Sequence, residues 1–255
     1  DFQFMQYALQ QIKHRGPDDE QLYVSEQLIL GFNRLSIIDL EGGSQPFHSS
    51  DKTCHLVFNG EIYNYLELRT QLEKLGFSFE TSCEAEVIVT LYQLLGLEFM
   101  SQLRGMFSLV LYDEITQELI AVRDRFGIKP LYYYHFDDGI FLTSELKVFK
   151  SIYDKEQFLD FKALQHYFTF QYIPEPDTCL IDIKALEAGT YLTYSLEKGL
   201  RIKTYATVEL LPTKKTSYVL KEELKQAIVY SVKSHLKSEV EVGCFLSGGI
   251  ESNII

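Results

Sequence analysis

Two stretches in the middle of the chain, MFSLVLYDEITQELIAVRD from Met106 and PLYYYHFDDGIFLTSE from Pro130, each consist of two short apolar runs split by a polar turn. Runs of this length are too short for a packed helix, and their pairing across a turn is a hairpin signal, so the middle of the molecule is committed to antiparallel sheet. The flanks read differently. Phe2, Met5, Leu9 and Ile12 recur at helical spacing until Gly16-Pro17 stops them, so an amphipathic helix opens the chain. QLILGFNRLSIIDL and CHLVFNGEIY follow as strands. Asn64 stands at the N-cap position of a helix with Tyr65, Leu68, Leu72 and Leu75 on one face and Gly76 at its end, and EAEVIVTLYQLLG gives another helix. Helices on both sides of such strands predict stacked α and β layers, an α+β class, and not a doubly wound parallel fold.

The last quarter changes character. After YFTFQYIPEPDTCLIDIKALEAGTYLTY, a structured crossover with a closing strand or two, LLPTKKTS leads into a helical pattern from about Tyr218 to Leu236. A short apolar strand, EVGCFL, then runs into Ser247 and a glycine turn. Helix, strand, turn and the start of another helix make an α/β unit, which puts a boundary near 195–215. The expected division is a first domain over 1–195, a linker over 196–215 and the opening of a second domain over 216–255.

Composition narrows the function. The chain has 255 residues, enough to bury a sizeable core, and 36 acidic residues against 24 basic give a formal charge of −12. That balance disfavours nucleic acid and anionic membranes as partners. Cys54, Cys83, Cys179 and Cys244 are scattered without metal-ligand spacing, so free thiols in a reducing, cytoplasmic compartment are expected. The six histidines show no ligand spacing either. No signal peptide and no run long enough for a bilayer is present. The first residue is Asp1 in place of Met, and the chain enters a helical pattern at once, which points to a cut or processed N-terminus.

Several stretches carry groups suited to chemistry. In SGGIES, Gly248 and Gly249 let backbone approach a ligand, and the amides of a following helix are anion donors; a ligand-free tight turn is an equal alternative. The hydroxyls of Ser247 and Ser252 and the carboxylate of Glu251 favour phosphate with a magnesium ion. Arg34, in apolar surroundings, has the planar fork that holds a carboxylate, or else a structural salt bridge. Asn59 and Gly60 offer a side-chain amide and a backbone N–H, the donor pair of an oxyanion hole, although Asn-Gly serves more often as a hairpin turn. Glu61 and Glu84 are candidates for an ammonium group, with solvation as the plain alternative. RDRFGIKPLYYY gathers Arg123, Asp124, Arg125 and Lys129 around Gly127, a buried polar turn that braces a site or a simple loop.

HRGPDDEQ, NRLSIIDL, GSQPF, FNGEIYNYLELR, LRGMFSLVLYD, VRDRFGIKPLYY, SELKVF, FQYIPEP and VGCFLSGGIES occur in an order that resembles the glutamine-hydrolysing asparagine synthetases over nearly the whole chain. The resemblance implies a four-layer αββα sandwich of the N-terminal-nucleophile type, acting as a glutaminase, followed by the first helix and strand of an ATP-pyrophosphatase domain. In that family ammonia from glutamine displaces AMP from an aspartyl adenylate made with ATP and Mg²⁺. By resemblance Arg34, with backbone near Ile37 and Ile38, binds the glutamine α-carboxylate; Asn59 and Gly60 form the oxyanion hole; and Glu61 and Glu84 hold the α-ammonium. Leu246, Ser247, Gly248, Gly249, Glu251 and Ser252 match the pyrophosphate loop, with Glu251 the one implied magnesium ligand. The implied small-molecule partners are glutamine, aspartate and ATP; a homodimer is left open.

Three departures accompany the resemblance. The family's nucleophile is a cysteine at the mature N-terminus, and none of the four cysteines lies at the start here, so a missing N-terminal strand is expected. Glu84 stands where the family has aspartate, one methylene longer, and Glu251 replaces aspartate in the loop. A β-lactam-synthetase-like amide-forming enzyme without glutaminase activity, or a non-catalytic glutamine-binding module, are the competing expectations.

Overall fold

A computed structural model describes residues 2–36, 43–151, 159–236 and 240–254, apart from the side chains of Ser151 and Glu251. Helix α1 (Phe2–Ile12) leads into the hairpin β1 (Asp19–Val24) and β2 (Ile29–Arg34). Short β3 (Phe47–His48) and long β4 (Cys54–Ile62) precede helices α2 (Tyr65–Lys74), α3 (Glu84–Leu95) and α4 (Phe99–Gln102). Two hairpins follow, β5 (Gly105–Asp113) with β6 (Glu118–Arg123) and β7 (Tyr132–Phe136) with β8 (Gly139–Thr143). After α5 (Phe161–Phe170) come β9 (Ile183–Ala185), β10 (Thr190–Ser195) and β11 (Gly199–Thr204), then α6 (Ser217–His235) and α7 (Ile250–Ile254).

Among the described residues all strand pairs are antiparallel, in a six-stranded sheet of order β11-β10-β6-β5-β4-β3, a three-stranded sheet β8-β7-β9 and the β1-β2 pair. The fold is α+β. Strict alternation puts the two faces of the large sheet to different uses. Phe107, Leu109 and Leu111 of β5 and Ile120 and Val122 of β6 pack on α2, α3 and α4, where Leu68, Leu72, Ile88, Phe99 and Met100 are buried. Val110, Tyr112, Leu119 and Ala121 face the other way, onto Leu28 just before β2, Leu30 of β2, Leu131 just before β7 and Tyr133 of β7. Each such side chain contributes roughly 1.5–3 kcal/mol on burial, so both faces hold the sheet in register. Helix α1 lies against the smaller sheets: its Leu9 carbonyl accepts from Asn33 Nδ2 at 2.7 Å, and the Phe4 ring meets Phe141 of β8 at 5.3 Å. The layers thus run helices, large sheet, small sheets, helix.

Three local expectations fail. Leu75 is not on the packed face of α2 but 67% exposed, because the helix ends at Lys74 and the chain reverses through Gly76 at φ +97°. The Asn64 side chain does not cap α2. Its Oδ1 accepts from Arg104 N at 2.9 Å and its Nδ2 donates to Gln102 O at 2.9 Å, tying the start of β5 to the end of β4. EVGCFL forms no strand. Phe245 is 98% exposed, and residues 241–246 find no ladder neighbour among the described residues, without which a strand's N–H and C=O groups go to water.

Candidate functional site

A cavity of about 1290 Å³ opens between the inner face of the large sheet and the small sheets. Arg34, Asn59, Gly60, Glu61 and Glu84 all line it, although they come from β2, β4 and α3. The strand period explains the β4 contribution: Val57, Asn59 and Glu61 share the face opposite Phe58, which packs on the helices. Asn59 Nδ2 is buried and has no hydrogen-bond partner among the described residues. A buried amide left without an acceptor costs about 1–3 kcal/mol, which makes it a donor waiting for a ligand oxygen. Gly60 has φ +141°, and a Cβ there would lie 2.0 Å from the Met106 carbonyl oxygen, so no other residue fits.

Glu84, the first residue of α3, is 7% exposed and accepts from Ile62 N at 2.6 Å. Burial, opposed by that one N–H and reinforced by the neighbouring charge of Glu61, pushes its carboxyl up to about 8. Below that pH Glu84 holds a proton that a cationic ligand would release. Arg34 is buried at the end of β2, where Asp18 N donates to its carbonyl at 3.0 Å; Gly16 lets the HRGPD turn approach, since a Cβ there would lie 2.2 Å from Asn33 O. Ile37 and Ile38 lie outside the described residues.

The RDRFGIKP turn is a brace. Asp124 is fully buried; Oδ1 accepts from Phe126 N and Ile128 N at 2.9 and 3.1 Å, and Oδ2 from Lys129 N and Phe107 N at 3.0 and 3.2 Å. Arg123 donates to the carbonyls of Lys129, Gly127 and Leu186 at 2.9, 2.8 and 2.6 Å and to Glu175 at 2.7 Å. Because Phe107 pairs with Gly60, the turn fixes the strand that carries Asn59 and Gly60.

Two lining residues were not picked out as site residues from sequence. The Gln45 amide clamps the edge of β4, accepting from Phe58 N at 2.6 Å and donating to Phe58 O at 3.1 Å. Its GSQPF motif gave no chemical sign of this. Lys129 presents a half-buried side chain to the cavity. Of the four cysteines, Cys83 lines the cavity, its Sγ 2.9 Å from Thr81 Oγ1. Cys54 is buried elsewhere, its thiol pushed up to about 11 by burial.

The SGGIES residues are not part of this cavity. Gly248 takes φ +82°, Ser247 Oγ lies 3.1 Å from Ser252 Oγ, and Ser252 Oγ donates to Gly249 O at 3.2 Å. Leu246 is exposed, and the Glu251 side chain lies outside the described residues. Among the described residues no three His, Cys, Asp or Glu side chains converge as a metal site, and no helix is long and apolar enough to cross a membrane.

Residues 2–206 match the family model described as glutamine amidotransferase domain. The chain belongs to that family. Residues 223–255 match the asparagine synthase model. The chain is 41% identical over 246 residues to asparagine synthetase [glutamine-hydrolyzing] 1 of Bacillus subtilis, an alignment covering 96% of this chain and 39% of that protein. It is 36% identical to asparagine synthetase B [glutamine-hydrolyzing] of Escherichia coli over 96% and 39% of the two chains. The chain therefore spans about two fifths of the length of these relatives. Among solved structures, glutamine phosphoribosylpyrophosphate amidotransferase from B. subtilis superposes with a TM-score of 0.57 at 19% identity, covering 81% of this chain and 47% of that one, which supports the amidotransferase fold.

Proposed function

We propose that this chain is the glutamine site and the beginning of the synthase unit of a glutamine-dependent asparagine synthetase. The observation that carries the reading is the buried Asn59 Nδ2, without a hydrogen-bond partner among the described residues, beside Gly60 in a cavity shared with Arg34, Glu61 and Glu84. Glutamine is a zwitterion with a neutral amide, and the cavity holds one group type for each part. The guanidinium of Arg34 binds the α-carboxylate with two parallel hydrogen bonds. Glu61 and Glu84 receive the α-ammonium, whose charge stabilises the ionised form of Glu84. Asn59 Nδ2 and the Gly60 N–H point their dipoles at the side-chain carbonyl oxygen, where negative charge develops when a nucleophile adds to the carbon. The Asp124 and Arg123 hydrogen bonds hold that donor pair in place, so little reorganisation is needed as charge appears.

Ammonia released there would serve asparagine formation in the synthase unit, as the names of the relatives suggest, with an aspartyl adenylate as the acceptor that the family resemblance implies. ATP, when bound, supplies activation of the acceptor carboxylate. The positive φ of Gly248 and the facing hydroxyls of Ser247 and Ser252 fit a phosphate, and these three with Gly249 would hold it through hydroxyl and backbone N–H donors. The proposed division keeps a first domain, a linker and a second unit from 216, but the first domain runs past 195, because β11 (Gly199–Thr204) is a strand of the large sheet and so is not linker.

The test is calorimetric titration of L-glutamine into the chain and into Arg34→Ala. The expected result is binding that weakens by tenfold or more in the variant, with aspartate and asparagine binding far more weakly than glutamine. Equal affinity in the two proteins would remove Arg34 from its role. In a polypeptide that includes the rest of the synthase unit, the same substitution is expected to abolish glutamine-driven synthesis and spare ammonia-driven synthesis.

A further inference from the structure

The cavity contains a cation that the binding of glutamine does not use. Lys129 is anchored at its backbone on both sides: its N–H donates to Asp124 Oδ2 at 3.0 Å, and its carbonyl accepts from Arg123 Nε at 2.9 Å. The same Asp124 oxygen accepts from Phe107 N, and Phe107 is the cross-strand partner of Gly60. One carboxylate oxygen therefore joins the backbone of Lys129 to the strand pair that carries the two carbonyl-facing donors. The Lys129 side chain lines the cavity and is half-buried, yet among the described residues its ammonium makes no hydrogen bond or ion pair. The other cations there are engaged: Arg15 bonds Glu145 Oε1 at 3.3 Å, and Arg34 is buried with partners of its own. Burial and the nearby Arg15 charge hold the Lys129 ammonium below the usual lysine range, while Glu61 and Asp124 oppose them. A half-buried ammonium with no direct ion pair among the described residues is costly even with acidic groups nearby, and an anionic ligand in the same cavity relieves that cost.

Glutamine brings no such anion, since its two charges are met by Arg34 and by Glu61 with Glu84. Its hydrolysis product does. Glutamate carries a second carboxylate where glutamine carries its amide, and that group enters a cavity already lined by Glu26, Glu61, Glu84, Asp138 and Glu197, where it is repelled unless a cation faces it. We propose that the Lys129 ammonium binds the side-chain carboxylate of L-glutamate and so sets how strongly the site retains the acid relative to the amide. This rests on the glutamine reading above and adds a specificity-determining residue to it. Lys129 needs no part in binding the α-amino or α-carboxylate group, so its effect falls on one ligand and not the other.

The experiment titrates L-glutamate and L-glutamine separately into the chain, Lys129→Met and Lys129→Arg, at one pH and low ionic strength. Lys129→Met is expected to lose tenfold or more in affinity for glutamate while glutamine affinity stays within threefold, and Lys129→Arg to keep both. Retained glutamine binding is the check that the variant is folded. An unchanged ratio of the two affinities, or equal loss of both, overturns the assignment to Lys129 with the glutamine site intact in the unsubstituted chain. Absence of both ligands from the unsubstituted chain overturns the glutamine reading and this proposal with it.

Discussion

Asp124 and Glu84 are both buried carboxylates within reach of the same strand pair, yet they are treated in opposite ways. Asp124 accepts four backbone N–H groups, two on each oxygen, while a single N–H, that of Ile62, is found on Glu84. A carboxylate with four donors has its charge spread into the backbone and nothing left to offer a ligand. A carboxylate with one donor in a desolvated place keeps its proton until a cation comes. The first arrangement builds a rigid turn; the second keeps a ligand position unsaturated. Burial alone does not separate a structural acid from a binding one; the number of donors does.

The sharpest way to break this comparison is Asp124→Asn. The amide keeps one acceptor oxygen but turns an NH₂ toward two backbone N–H groups, leaving donors facing donors inside the protein. A loss of about 4 kcal/mol is expected, by analogy with breaking a buried ion network. Urea unfolding monitored by circular dichroism reads it as a lower midpoint with an unchanged slope. A loss under about 1 kcal/mol would mean that the four hydrogen bonds do not hold the turn.

Glu84→Gln tests the other half. The unfolded carboxyl loses its proton near pH 4.3, the folded one at about 8. Between these values the folded state binds the extra proton, so the Glu84 contribution to stability is present at low pH and declines as pH rises, levelling above about 8. Glutamine at 84 keeps the acceptor for Ile62 N and has no proton to lose. The variant is therefore expected to gain on the parent as pH increases, by on the order of 3–4 kcal/mol between pH 5 and 8, measured as the difference in unfolding midpoints across that range. A flat difference would place the Glu84 carboxyl in water. In the parent chain, glutamine binding at pH 7 is expected to release a proton, seen as a binding enthalpy that varies with the buffer's ionisation heat.

The same contrast explains what the sequence made legible. Two short apolar runs split by a polar turn identified the β5–β6 hairpin, and the runs are nearly continuous because both faces of these strands are buried. Asn59, Gly60, Glu61 and Arg34 stood out by residue type, and the fold brings them to the lining of one cavity. Gln45 stood out only within the GSQPF motif and Lys129 only as part of a bracing turn, because their places at the cavity come from which backbone lies opposite them, and that depends on how β3 and the Asp124 turn pack. Asn64 carried the right residue for a cap and went to Arg104 instead, a competition between local and tertiary acceptors that no local pattern contains. EVGCFL was read as a strand from its composition alone, and composition does not supply a neighbour.

Helix α6 is the weakly held counterpart of the braced turn, and Ser234→Ala probes it. Among its described residues Ser234 is the buried one, accepting from Arg104 Nη2 at 2.7 Å, while the His235 ring meets Tyr63 at 4.1 Å and the Arg104 guanidinium lies 4.4 Å from the centre of the Tyr230 ring. Removing the hydroxyl deletes one charge-assisted hydrogen bond, but Arg104 keeps its place over Tyr230, and water reaches a half-exposed guanidinium readily. The cost is expected to be about 1 kcal/mol or less. It should appear locally, as faster amide exchange in α6 with the rates in β5 unchanged, because β5 is held on both faces by packed side chains and α6 at its last turn. If β5 exchange rises in step with α6, the helix and the sheet open as one unit, and the difference between a braced region and a lightly docked one disappears.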